Sequence, residues 1–126
     1  MNFSRTGLIL FTENYSQCVE FYTGVLELPI LYSLDNEHSR LTCCDLGGGH
    51  YLMIEQGGVA VPGRKTAAQN PVWLRFNVED VEATARQLSA KGVSVTLRRE
   101  VWGTLADFTD PDGNACSLRD EASFGE

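Results

Sequence analysis

Residues 102–118 read WGTLADFTDPDGNACSL, and this stretch decides the fold. Asp110-Pro111-Asp112-Gly113-Asn114 reverses the chain between two apolar segments. Proline presets φ for the turn, and Gly113 or Asn114 takes positive φ at little cost. The stretch is therefore a hairpin, and it closes the second of two similar halves.

The first half begins with a strand, Leu8-Ile9-Leu10-Phe11, that runs into Thr12-Glu13-Asn14. Asn14 or Thr12 caps the helix that follows. Cys18, Val19, Phe21, Tyr22, Val25 and Leu26 form an i, i+3, i+4, i+7 apolar stripe on it. Pro29 stops the helix, and strands are expected at 30–34, 40–46 and 51–55, the last two joined at Gly47-Gly48-Gly49. The second half repeats the plan: a strand at 72–78, then a helix carrying Val81, Ala85 and Leu88 and ending at Lys91-Gly92. Strands at 93–97, 105–108 and 115–118 complete it. The expected fold is α+β, one domain over 1–126, with module one at about 5–56, a linker at about 57–70 and module two at about 71–120. Each β-α-β-β-β module is too small and one-sided to stand alone, so the two are expected to pack as a pair.

Three segments in this order and spacing resemble the vicinal oxygen chelate superfamily, which includes glyoxalase, extradiol dioxygenases and bleomycin resistance proteins. They are Val19-Glu20-Phe21-Tyr22 before Leu26-Glu27-Leu28, Phe76-Asn77-Val78-Glu79-Asp80, and the DPDGN turn. The resemblance covers nearly the whole chain and implies curled mixed sheets around a cleft. Glu27 departs from it, since the family usually has Gly where the helix reverses, and a positive φ there costs a non-Gly residue about 1 kcal/mol.

Metal-dependent relatives draw one ligand each from the first, fourth, fifth and eighth strands. Counted from the flanking motifs, the resemblance assigns these positions to Gly7, Glu55, Trp73 and Ser117. Glycine offers no ligand atom, an indole N–H is only a donor, and a serine hydroxyl is a weak neutral ligand. Divalent metals want three or four N/O donors, so Glu55 alone makes no site and no metal or cofactor is expected. His38 and His50 lie at turns and read as solvated.

Placing those four positions inward puts Ile9, Phe11, Tyr51, Met53, Arg75, Ala115 and Arg119 on the cleft side. The opposite parity collects Leu8, Leu10, Leu52, Ile54, Leu74, Phe76, Cys116 and Leu118, which is uniformly apolar, as a helix-facing core requires. Phe108 joins the core, and Asp107 turns to the cleft. Candidate ligand contacts are thus Phe11, Tyr51, Met53, Glu55, Trp73, Arg75, Trp102, Asp107 and Ser117. Aromatic faces with carboxylates suit an aromatic or cationic organic ligand. The same aromatics also suit a dimer interface.

The net charge of −7 and the lack of a basic cluster argue against nucleic acid. No apolar run approaches a membrane span, and no export signal is evident, so a cytoplasmic protein is expected. Cys18, Cys43, Cys44 and Cys116 show neither CxxC nor zinc spacing, and adjacent Cys43 and Cys44 point to opposite faces of a strand. Within the superfamily the pattern is similar to bleomycin resistance proteins, which are acidic, lack the metal ligands and have Trp-Gly before the final turn, as Trp102-Gly103 stand here. That resemblance implies a metal-free, dimeric binder that sequesters a small molecule unchanged. The alternatives are a lyase, isomerase or dioxygenase-family enzyme with Glu55 as general base and Arg75 or Arg119 stabilising an anion, or an interaction dimer without ligand.

Overall fold

Residues 1–125 are described by a computed structural model, which divides into two units, Met1–Ala60 and Val61 onward. In the first, β1 (Thr6–Thr12) leads to α1 (Tyr15–Glu20), which continues as a π-helical turn (Phe21–Val25). Then come β2 (Ile30–Asp35), β3 (Arg40–Gly47) and β4 (His50–Gln56), in the sheet order β1-β4-β3-β2. Only β1 and β4 run parallel, which is why a helix must carry the chain over between β1 and the hairpin-linked strands.

The expected apolar stripe buries Cys18, Phe21 and Tyr22, and α1 packs on β4. The expected uniform helix is corrected at Phe21, where the turn widens. The Thr23 hydroxyl donates back to the Val19 carbonyl (2.6 Å), a contact that bends helices, and the Leu26 N–H reaches the Phe21 carbonyl five residues back. Thr12 organises the helix entry: its hydroxyl accepts from the Asn14 N–H (2.9 Å), while the Asn14 side chain makes no capping hydrogen bond. Glu27 takes the left-handed conformation at φ 60°, the only non-glycine among the described residues to do so. The chain reverses there at the expected cost in backbone strain. After β4, the Gly57 N–H donates to the Thr12 carbonyl (2.7 Å) and the Ala60 N–H to Glu13 Oε1.

The second unit orders β5 (Leu74–Val78), β8 (Ala115–Asp120), β7 (Gly103–Thr109) and β6 (Thr96–Glu100) side by side, with β5 and β8 parallel. The helix α2 (Val81–Ala90) is capped by Asp80, whose carboxylate accepts from the Ala83 N–H (2.9 Å). It buries Val81, Ala85 and Leu88 and packs on β7 and β8. The strand expected at 93–97 is corrected to Thr96–Glu100. The Gly92 N–H bonds to the Ser89 carbonyl and the Val93 N–H to that of Leu88 (both 3.0 Å). This is the Schellman end of a helix, so Val93 belongs to the cap instead of the strand.

The strand parity read from the sequence is the parity of the sheets. Leu8 and Leu10 stand opposite Leu52 and Ile54, and Leu74 and Phe76 opposite Cys116 and Leu118. Leu52, Ile54, Leu74, Cys116, Leu118 and Phe108 are buried, while Leu8 remains 43% exposed on edge strand β1. No helix among the described residues is long and apolar enough to cross a membrane.

Residues 61–70 have no regular structure, yet they form an ordered strap across the DPDGN turn. The Val61 and Lys65 N–H groups donate to the carbonyls of Asp112 (3.2 Å) and Gly113 (2.7 Å). Lys65 Nζ and Asn70 Nδ2 both donate to Asn114 Oδ1 (3.0 and 2.9 Å).

Candidate functional site

In the first unit, strand register brings Gly7 beside Tyr51, Ile9 beside Met53 and Phe11 beside Glu55 on one sheet face. Cys43 pairs with Met53 from the other side, and Tyr32 pairs with Cys43. A pocket of about 520 Å³ opens on this face, lined by Arg5, Leu31, Tyr32, Cys43, Tyr51 and Met53. The structure thus unites two sequence-identified residues, Tyr51 and Met53, with four that the sequence reading missed. Carrying strand alternation onto β2 and β3 identifies Tyr32 and Cys43; Arg5 precedes β1, and Leu31 lies at a register shift in β2, so neither has such a signal. Phe11 and Glu55 share the face without lining the pocket.

Gly7 has a local reason to be glycine: the Tyr51 ring lies across it, and any Cβ there collides with the ring edge. The position that the resemblance assigns to a first-strand metal ligand is therefore covered by an aromatic side chain.

In the second unit, Arg75, Ser117 and Asp107 come together across β5, β8 and β7. Ser117 is fully buried, and its hydroxyl accepts from Arg75 Nε (2.9 Å). Asp107 is 7% exposed and accepts from Arg98 Nε (2.8 Å) and Nη2 (3.4 Å). Its charge is thereby committed to a guanidinium, chiefly through the hydrogen bond that pushes Arg98 above its ordinary pKa. The sequence reading missed Arg98 because it placed β6 three residues early.

Trp73 and Trp102 stand in different settings. Trp73 precedes β5, and the Arg64 guanidinium lies 4.6 Å from its ring centroid. Trp102 sits in the β6–β7 turn under Arg119 (4.7 Å), beside a second pocket of about 510 Å³ lined also by Arg99, Glu100 and Ser123. The C-terminal turn beneath is fixed by Asp120, which accepts from the N–H groups of Thr104 (2.7 Å) and Ser123 (3.0 Å). Hydrogen bonding from the Ser123 side chain first, and then from the Thr104 N–H, holds the Asp120 carboxyl below the usual range.

The four positions implied by the resemblance do not fit a divalent cation. Gly7 is covered, the Trp73 indole lacks a lone pair to give, and Ser117 already accepts from a cation. Among the described residues no three His, Cys, Asp or Glu side chains gather, and His38 and His50 are both exposed.

All four cysteines are buried and free of disulfides. Burial, and then Cys43, push the Cys44 thiol from 9.0 up to about 11. A pKa raised on folding favours the native state while the thiol is protonated; that contribution is complete below pH 9 and disappears as pH rises through about 11. Urea midpoints are therefore expected to fall over that alkaline window more steeply in the natural chain than in Cys44→Ala. Parallel profiles for the two proteins would exclude Cys44 as the source.

The sequence pattern of the Glyoxalase/Bleomycin resistance protein/Dioxygenase superfamily matches residues 5–118. The Bacillus subtilis (strain 168) protein YraH is 32% identical over 119 residues, covering 86% of this chain and 91% of YraH. Among solved structures, SMU.1112c is similar at a TM-score of 0.75 and 26% identity, over 90% of this chain and 96% of that one. TnmS3, an antibiotic binding protein from Streptomyces sp. CB03234, is similar at a TM-score of 0.75 and 21% identity, over 95% and 98% of the two chains.

Proposed function

The chain belongs to the glyoxalase/bleomycin resistance protein/dioxygenase superfamily, and within it we propose a metal-free binding protein that sequesters a small aromatic molecule without transforming it. The observation that carries this reading is the first-unit pocket, walled by Tyr32, Tyr51, Leu31 and Met53, with the Tyr51 ring seated where metal-dependent relatives place a ligand. Aromatic and apolar walls with few polar groups are what a flat organic molecule requires. That TnmS3 is an antibiotic binding protein supports the same reading.

Phe11 and Glu55 extend this face, Phe11 as apolar area and Glu55 as a charge. In the second unit Trp73 and Trp102 offer rings for stacking, and Arg75, Ser117 and Asp107 form a hydrogen-bonding group. A homodimer is part of the reading, because β1 and β2 leave sheet edges carrying exposed Ile9, Ile30 and Leu34 that a second copy would cover.

The test is a thermal-shift screen of planar aromatic compounds with and without Mn²⁺, Ni²⁺ and Zn²⁺. A ligand of the native state raises the midpoint, and the rise is expected to be independent of metal. Tyr51→Ala is expected to weaken a hit in the first-unit pocket about tenfold, the usual scale for losing an aromatic contact. Chemical conversion of the hit, or unchanged affinity in Tyr51→Ala, contradicts the reading. Sedimentation of the ligand-free protein at micromolar concentration is expected to show a dimer; a monomer removes that component.

A further inference from the structure

We propose that the first-unit pocket selects an aromatic ligand bearing a negatively charged group, with Arg5 as the residue that reads the charge. This rests on the binding reading above and adds the sign of the ligand.

Arg5 is the one charged residue among those lining the pocket. A guanidinium presents a rigid fork of donors that fits a carboxylate or similar oxyanion, and stacks on flat rings. The rest of the lining supplies no opposing carboxylate. The Cys43 thiol is pushed up by burial despite the nearby Arg5 charge, and burial likewise raises Tyr32. Both groups are therefore neutral at physiological pH, and Arg5 has no anion within the lining to satisfy it.

The net charge of −7 suggests a cationic ligand, but that argument acts at long range. Charges spread over the surface are largely screened beyond about 8 Å at physiological ionic strength, whereas Arg5 stands in the lining itself. Of the two carboxylates expected to attract a cation, Asp107 is bound by Arg98 in the second unit. Glu55 lies two residues beyond Met53 on β4, about 7 Å along the strand, and does not line the pocket.

The experiment uses the full chain and three matched probes: 2-naphthoate, 2-naphthamide and 2-naphthylmethylammonium, titrated by calorimetry at fixed ionic strength. Naphthoate is expected to bind tightest, about tenfold better than the ammonium compound. Arg5→Gln is expected to weaken naphthoate about five- to tenfold, the scale of one charge-assisted contact, and to leave naphthamide within about twofold. Arg5→Lys is expected to restore part of the loss. Arg86→Gln, an exposed change on α2 that removes the same charge elsewhere, is expected to leave all three affinities unchanged. Tightest binding of the ammonium probe, or equal naphthoate affinity in Arg5→Gln and the natural chain, overturns the anionic assignment while the binding reading stands. Failure of all three probes to bind overturns both.

Discussion

Gly113→Ala is expected to destabilise the protein by about 3–5 kcal/mol, the range reserved for changes that force a buried backbone apart. Gly113 has φ +84°, and a Cβ there meets the Gly63 carbonyl oxygen well inside van der Waals contact and that of Val61 at 2.9 Å. Neither obstacle is a flexible side-chain tip. Both are backbone of the strap, held in place because Val61 and Lys65 donate to the Asp112 and Gly113 carbonyls. Relieving the clash means giving up those hydrogen bonds. Gly63→Ala separates the two causes, because Gly63 has φ +75° with open space around it. Only the conformational term applies there, about 1 kcal/mol after the gain from a stiffer unfolded chain. Urea unfolding of both variants reads the difference directly. Equal losses would show that the strap moves aside freely, and the account of this turn would fail.

Asp110→Ala is expected to cost about 3 kcal/mol, since it strips a buried acceptor from several N–H groups at once. The Asp110 carboxylate is 3% exposed and accepts from the Asp112 N–H (2.9 Å), the Asn114 N–H (2.9 Å) and Asn114 Nδ2 (2.8 Å). Removing it leaves donors in a turn that the strap shields from water. Asp80→Ala gives the scale for comparison: one cap bond at an exposed helix start, worth about 1 kcal/mol. Asp110→Asn should fall between the two, because one oxygen remains for the backbone donors while an amide NH₂ faces Asn114 Nδ2. An Asp110→Ala loss no larger than that of Asp80→Ala would mean the turn is held by the strap alone.

The turn illustrates what was legible in the sequence. Its reversal could be read from Pro111, Gly113 and Asn114, because turn preference is a property of a few consecutive residues. Residues 57–70 showed no pattern, so their seating on the turn was invisible. The bonds from Val61, Lys65 and Asn70 join groups more than forty residues apart. Asn114 reads locally as a turn residue, yet its side chain also gathers Lys65 and Asn70.

The candidate site divides the same way. Tyr51 and Met53 followed from alternation along one strand, and the apolar parity of Leu52, Ile54, Cys116 and Leu118 confirmed the faces. Alternation also placed Asp107 on the cleft side, but not its partner, Arg98. That pairing depends on where β6 begins, and the Schellman end of α2 sets that point by keeping Val93 in the cap. The widening at Phe21 likewise follows from how Thr23 bonds back onto its own helix, a choice the apolar stripe does not register.

The sequence by itself determined the two β-α-β-β-β modules, the helix stripes, the closing hairpin and which residues of each strand share a face. These depend on periods of 3.6 and 2 residues and on turn chemistry, all expressed within a few positions of the chain. Only the tertiary structure decided that Tyr51 covers Gly7, that Arg98 neutralises Asp107, that Arg75 occupies Ser117, and that Arg5 stands at the pocket. Each of these depends on strand register and on the reach of long side chains across neighbouring strands, which a linear pattern does not encode.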